Sequence, residues 1–301
     1  MNSRLKLIHN SKIDIERWDK VIYNSPNSRV YAKSWMLDIV NEEWNGLIYG
    51  DYEYIMPVVY SKKWGIEYAY QPIYSQQHGI FPPPSPEITK CFIDFLIERF
   101  RYLDISLNSM NLVQDSNLKI EERANFLLSL RPEYEDIAKN YSNDCKRNVK
   151  KARVLNEFSD QVTIEEFMQF YIANNKVSLN DSVIGHLKKI VSKSLMSGIG
   201  EIHGAYSKRN QLTGVSFFLK DKERRISLCS VSSEEGRDNF SMFFIIDNYI
   251  RNNSSKSLIL DFEGSIIEGI AMFFKRFGAE PETYQHIKFN RLPWPIKIFK
   301  K

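Results

Sequence analysis

The sequence has few cysteines, glycines and prolines, little net charge and no long apolar run. Its 301 residues include 13 glycines and 11 prolines, which excludes collagen-like and low-complexity chains. The 41 basic and 37 acidic residues leave a formal charge of +4, too small by itself to indicate a nucleic-acid-binding protein. No apolar stretch approaches the ~20 residues of a membrane-spanning helix, and the N-terminus lacks a signal-peptide core. We therefore expect a cytoplasmic protein.

The three cysteines, Cys91, Cys145 and Cys229, are far apart in the sequence. No pair has the close spacing of a zinc site, and an odd, sparse set argues against a secreted disulfide scaffold. His78 and His203 have no metal-ligating partner at a suitable spacing, which favours a structural or hydrogen-bonding role for each. The sequence therefore predicts no metal site and no tightly bound cofactor.

Apolar residues make up 43% of the chain, enough for a packed core. Their spacing predicts three strands, a helix and a strand over residues 44–108, and the same order over residues 200–264. A strand, a crossover helix and a further strand indicate a partly parallel mixed sheet. We therefore predict an α/β protein that arose by duplication of one fold unit, with domains at residues 1–135 and 136–301.

The middle of the chain carries a dense group of cations. On a helix, Lys146, Lys150 and Arg153 share one stripe, and Arg147 and Lys151 lie beside it. Five cations on one surface are suited to the phosphates of a nucleotide or of a tRNA backbone. The alternative is an ordinary solvated helix face.

A polar loop at residues 232–239 separates a predicted strand from an apolar helix. Free backbone N–H groups at such a helix start can hold a pyrophosphate, which makes Gly236 and Arg237 candidate binding residues. The loop has a single glycine, preceded by two acidic residues, unlike a glycine-rich phosphate loop.

Acidic and basic side chains follow the last predicted strand and helix. Asp261 and Glu263 end a buried, parallel-type strand and would face the same side if that strand continued. Ligands of open sheets bind at this edge, where one carboxylate could accept a proton from an amine. The alternative is a turn whose acids cap the next helix. Lys275 follows two aromatic residues and could stabilise an oxyanion or a phosphate, or it is part of a helix end that Gly278 terminates.

Together these segments resemble a known family. The basic helix Lys146–Ala152, the two helices and three strands after it, Asp261–Ser265 and Phe274–Gly278 resemble the C-terminal half of the Fem-like transferases. These are peptidoglycan aminoacyltransferase-related, tandem-domain members of the GNAT acyltransferase superfamily. The match covers residues 135–290, and it implies two tandem GNAT-like acyltransferase domains.

The N-terminal half is similar to an uncharacterised bacterial branch of GNAT-type acyltransferases. The similarity lies in Gln71-Pro72 and in the segment Gln76–Gly79. It makes Gln77 and His78 candidate substrate-binding residues.

The resemblance implies an N-acyltransferase that moves an acyl or aminoacyl group from acyl-CoA or aminoacyl-tRNA to an amine. Lys275, Glu263 and Asp261 would be its catalytic residues, and the cations of the basic helix would bind the carrier's phosphates. We expect direct attack without a covalent intermediate, because no serine or cysteine has an evident histidine partner. The acceptor would be a small molecule or a cell-wall precursor, and tRNA is a candidate partner.

Two other functions stay open. The chain could be a non-catalytic binding module on a degenerate GNAT scaffold, which the glycine-poor loop favours. It could also be an acyl-CoA-dependent acyltransferase that modifies a polysaccharide or a cell-envelope precursor.

Overall fold

The computed structural model describes residues 4–176, 179–264 and 267–294. The helices are α1 Ile15–Asn24, α2 Ser34–Val40, α3 Pro86–Arg99, α4 Tyr134–Lys139, α5 Asn143–Leu155, α6 Ile164–Asn174, α7 Asp181–Met196, α8 Glu234–Asp238, α9 Ser241–Asn253 and α10 Glu268–Arg276. The strands are β1 Leu5–His9, β2 Asn45–Tyr49, β3 Tyr54–Val58, β4 Tyr60–Lys63, β5 Ile66–Tyr70, β6 Tyr102–Ser106, β7 Lys119–Ser129, β8 Asn156–Ser159, β9 Gly200–Ser207, β10 Leu212–Asp221, β11 Arg224–Ser232, β12 Ile259–Asp261 and β13 Glu280–Asn290.

The chain forms two compact units. One comprises Met1–Ala124 and Thr283–Lys301, and the other comprises Asn125–Glu282. These limits differ from the domains predicted at 1–135 and 136–301, because residues 283–294 belong to the first unit. There β13 pairs antiparallel with β6, and Ile287 is fully buried in the first unit's core. Nothing in the local residue pattern of β13 indicates so distant a partner.

The first unit contains a separate antiparallel sheet of β1, β2 and β3. Its remaining strands lie in the order β4-β5-β6-β13, and β5 and β6 are parallel with α3 as the connecting helix. The hydroxyl of Ser85 caps α3 by accepting a hydrogen bond from Ile88 N–H, as the sequence indicates. Phe92 and Leu96 of this helix are completely buried in the core.

The second unit has the strand order β7-β12-β11-β10-β9-β8. β11 and β12 are parallel, and the other neighbouring strands are antiparallel. Successive side chains of β10 point to opposite faces, so Phe218 stacks on Tyr249 of α9 while Phe217 contacts Phe167 of α6. Helices therefore cover both faces of this sheet, and the predicted α/β class is confirmed.

Candidate active site

A cleft opens in the second unit beyond the short parallel pairing of β11 with β12. Their parallel pairing covers only Arg224–Ile226 and Ile259–Asp261. A β-bulge follows in β11 at Leu228, and a bulge bends the strand that carries it. Beyond the paired residues, β11 and the segment Phe262–Gly264 that follows β12 border a cleft of about 540 Å³.

The lining of the cleft is mostly apolar, with polar groups along β11 and at the rim. Its apolar residues include Met242, Ile246, Phe262, Ile270, Phe273 and Phe274. Its polar residues include Lys176, Ser227, Ser230, Ser232, Arg237 and Glu263. Such a combination, an apolar chamber with a few polar groups, is typical of small-molecule sites.

Aromatic contacts fix α10 along one side of the cleft. The ring of Phe262 stacks on that of Phe274 with 4.8 Å between ring centres, and Phe126 contacts Phe274 at 5.9 Å. Phe273 meets Phe243 of α9 edge to face at 4.9 Å. These rings hold α10 in place although none of its residues is fully buried.

Glu263 is held at the cleft by its backbone. Its N–H donates to Asp261 Oδ1 at 2.9 Å, and its carbonyl accepts from Phe126 N–H at 3.2 Å. Its φ of +58° lies in the left-handed region, which few residues other than glycine adopt. This turn places Glu263 in the cleft lining, where the sequence predicted a carboxylate able to accept a proton.

Asp261 is outside the cleft lining and is buried in an ion pair. Its Oδ2 lies 2.6 Å from Arg224 Nη1, and Arg224 Nη2 lies 3.2 Å from Glu282 Oε1. The expectation that Asp261 and Glu263 face the same side does not hold, because β12 ends at Asp261 and Glu263 is left-handed. Asp261 therefore joins β12 to β11, and its carboxylate contacts the backbone of Glu263 without lining the cleft.

Lys275 also lies outside the cleft lining. Its side chain is exposed, and its Nζ lies 5.7 Å from the ring centre of Phe126. The preceding residues Phe273 and Phe274 line the cleft instead. Gly278, with a φ of +81°, follows α10 as the predicted helix stop.

The predicted basic helix is α5. Arg153 pairs with the buried Asp247 at 2.6 Å, whereas the other four cations are exposed on a surface outside the cleft lining. Arg147 pairs with Asp144 at 2.7 Å, and Lys146 Nζ donates to a backbone carbonyl. Lys150 is exposed, and Lys151 Nζ lies 5.6 Å from an aromatic ring centre. The structure therefore keeps these four residues together but apart from Glu263.

The polar loop contributes one residue to the cleft. Arg237 is part of the lining, and its Nη1 donates to Ser232 O at 3.1 Å. Gly236 is buried, and its N–H donates to Ser233 Oγ at 3.1 Å. A Cβ atom on Gly236 would lie 1.9 Å from Thr213 O. This glycine therefore allows α8 to pack on β10, and its N–H is already used in a helix cap.

Gln77 and His78 are buried in the first unit. His78 Nε2 lies 3.2 Å from Tyr31 O, and its backbone N–H donates to Ser106 O at 3.0 Å. Burial lowers the pKa of His78 to about 4, so the imidazole is neutral at physiological pH. The structure gives both residues a place in the core, which agrees with the structural role favoured for His78.

The expectation that no serine has a histidine partner is wrong. Ser106 Oγ lies 3.0 Å from His286 Nδ1, and His286 Nε2 lies 2.7 Å from Asp104 Oδ1. Burial raises the pKa of Asp104, but the contacts with His286 and Tyr102 lower it overall. Ser106 is only 2% exposed and lies outside the cleft, so its hydroxyl is not presented to a substrate.

Sequence reasoning missed the serine row and Lys176. Ser230 Oγ lies 2.7 Å from Ser216 Oγ and 3.2 Å from Ser227 Oγ, which gives β11 a line of hydroxyls along the cleft. The signal was present in the sequence as serines at 227, 230 and 232, interspersed with Ile226, Leu228, Cys229 and Val231. Lys176 follows α6 and carried no such signal.

Neither a metal-binding cluster nor a membrane-spanning helix occurs in the described part of the chain. No group of three or more histidine, cysteine, aspartate or glutamate side chains could hold a metal ion there. None of the helices in that part combines the length and the apolar character required to span a membrane.

No protein-family model matches the sequence, and no curated protein resembles it significantly. FemX aligns with 98% of this chain and 99% of its own, with a TM-score of 0.66 and 11% identity. L-PGS from Bacillus licheniformis aligns over 87% and 88%, with a TM-score of 0.52 and 9% identity. A GNAT-family acetyltransferase from Colwellia psychrerythraea aligns over 95% and 99%, with a TM-score of 0.54 and 11% identity. At these identities the likeness shows the fold alone: this chain has the Fem-like GNAT fold that its residues predict.

Proposed function

We propose that the chain is an N-acyltransferase that moves an acyl or aminoacyl group from an activated carrier to an amine. The cleft that β11 borders beyond its pairing with β12 carries this proposal. Where the pairing with β12 ends, the backbone N–H and C=O groups on that edge of β11 no longer bond a β12 residue. An extended carrier arm that contains amides can pair with such an edge as an added strand does.

Glu263 is the proposed general base. A neutral amine attacks the carrier's ester or thioester carbonyl, the new C–N bond forms, and the bond to the carrier breaks. The attacking nitrogen must lose a proton, and Glu263 is the carboxylate in the described lining of the cleft that can accept it. Because burial raises the pKa of the Cys229 thiol, this cysteine is a poor nucleophile, in keeping with direct attack. Positioning and electrostatics would then supply most of the rate gain.

Arg237 and Lys176 are the proposed contacts for an anionic carrier. Both line the cleft, and two cations at its rim favour the phosphate of a carrier such as acyl-CoA. The exposed cations of α5 are a separate proposed contact for the backbone of aminoacyl-tRNA, with strong salt dependence. The acceptor that the Fem-like resemblance suggests is an amine of a small molecule or of a cell-wall precursor.

The test is a transfer assay with acyl-CoAs or aminoacyl-tRNA as donor and diamines or lysine-containing peptides as acceptor, read by mass spectrometry. We expect Glu263→Gln to lower kcat by about 100-fold or more and to remove the rise of rate with pH, while the KM for donor stays nearly constant.

Glu268→Gln provides the matched control. Glu268 is an exposed acid on α10 outside the cleft lining, so its amide variant should retain wild-type kinetics. If Glu263→Gln turned over as fast as wild type, Glu263 would not be the base. If no donor were consumed although one of them bound, the non-catalytic binding module would be the better description.

A further inference from the structure

We infer that the cleft selects an apolar acyl group rather than a charged aminoacyl group. This inference rests on the proposed function and names its substrate class. The chamber beside the end of β12 is formed by the stacked rings of Phe262 and Phe274, with Ile246 and Ile270 completing it. A group placed there loses water and gains aromatic and aliphatic contacts, which favours a hydrocarbon.

The charged residues of the cleft also favour an uncharged acyl group. Of the described residues that line it, Glu263 alone is acidic, while Lys176 and Arg237 are basic. An aminoacyl donor carries an ammonium group, and burying that group among aromatic rings without its own acid is costly. Glu263 cannot both pair with such an ammonium and accept the proton of the attacking amine.

The basic part of the cleft and its aromatic part lie at different positions along its lining. Arg237 donates to Ser232 O at the end of β11, whereas the aromatic rings lie beside the end of β12. The ligand that fits both parts has an apolar group attached to an anionic carrier. Hydroxyls of Ser227 and Ser230 lie along β11, where the polar thioester or amide portion would lie.

The experiment separates the acyl group from its carrier. N-acetylcysteamine thioesters whose acyl chains have two to ten carbons lack phosphates. Their affinity for the full-length protein, measured by calorimetry, therefore reflects contacts of the acyl chain with the apolar chamber and no phosphate contacts. We expect the affinity to rise by up to about fourfold per added methylene, equivalent to about 0.8 kcal/mol, until the chamber is full. An affinity independent of chain length, or tighter binding of the lysyl thioester, would overturn the inference.

Matched variants on α10 test whether the dependence on acyl chain length arises in this chamber. Ile270 is 42% exposed and lines the cleft, whereas Met272 is 46% exposed and does not. Ile270→Trp should fill the chamber and shift the preferred chain to fewer carbons, and Met272→Trp should leave the chain-length profile as in wild type. Equal profiles for the two variants would place the acyl group elsewhere.

The same assays distinguish this inference from the proposed function. If transfer occurs with acetyl and longer chains alike, the enzyme assignment holds and the apolar selection fails. If chain length controls affinity but no acyl group reaches any amine, the selection holds and the enzyme assignment fails.

Discussion

Burial lowers the pKa of the His78 imidazole to about 4, because the charged form would lose its hydration. In the unfolded chain a histidine titrates near 6.5. Between these values the unfolded state binds a proton that the folded state does not, so stability falls as the pH falls through this window. We expect this group to remove about 2 kcal/mol of the free energy of unfolding between pH 7.5 and pH 5, measured by urea denaturation.

His78→Asn tests that assignment at the same site. The variant should be less stable at pH 7.5, because contacts of the ring are lost, but its stability should depend less on pH than that of wild type. His203, whose pKa burial also lowers, is present in both proteins and supplies the remaining slope. Parallel pH profiles for the two proteins would show that His78 is not the titrating group.

At single residues, sequence reasoning identified part of the candidate site. Glu263 and Arg237 were predicted, and both line the cleft. Lys275 and Asp261 were predicted as their companions and lie outside its lining. The argument from side-chain alternation requires the strand to continue. The backbone at Glu263 is left-handed instead, and the residue types around it do not predict this conformation.

Between elements, the close approach of α8 to β10 depends on Gly236. Because an added Cβ would lie 1.9 Å from the Thr213 carbonyl oxygen, Gly236→Ala must push α8 off the sheet. We expect a loss of about 3 kcal/mol in the free energy of unfolding, measured by chemical denaturation. Binding of donor should weaken as well, since Arg237 is carried by the same short helix.

Gly269→Ala is the corresponding control on α10. A Cβ at Gly269 meets open space, and alanine in a helix is favoured over glycine by up to about 1 kcal/mol. This variant should therefore be as stable as wild type or more so. If Gly236→Ala were equally harmless, the packing of α8 on β10 would not depend on the absence of a side chain at residue 236.

The two parallel strand pairs illustrate why similar elements do not predict similar sites. In the first unit β5 and β6 pair over Tyr68–Tyr70 and Tyr102–Asp104. The following segment then bonds along β6, with Gln71 N–H donating to Asp104 O and His78 N–H to Ser106 O. The chain itself thus occupies the edge of β6, whereas in the second unit a cleft borders β11 beyond its pairing with β12. Candidate binding residues were predicted in both units, and of Gln77, His78 and Arg237 only Arg237 lines the cleft.

For the whole molecule, local patterns predicted the α/β class and most elements, because apolar spacing and capping residues act over a few positions. Thr163 and Glu166 form a capping box at α6, and Gly198 ends α7 with a φ of +69°. The strands β8 and β13 were missed, since each is defined by a distant partner. The tandem duplication stays a prediction, supported by the matching order of β9–β11, α9 and β12 with the elements of the first unit.

Hydrogen exchange can test whether β13 belongs to the first unit. Ile287 is fully buried beside β6, so Ile287→Ala should cost about 2–5 kcal/mol and reduce amide hydrogen-exchange protection mainly within residues 4–124. Ile190→Ala, a truncation at an equally buried site on α7, should reduce protection mainly within residues 125–282. If Ile287→Ala instead loosened residues 125–282 and left 4–124 protected, the C-terminal strand would belong to the second unit, as the sequence-based boundary at residue 136 requires.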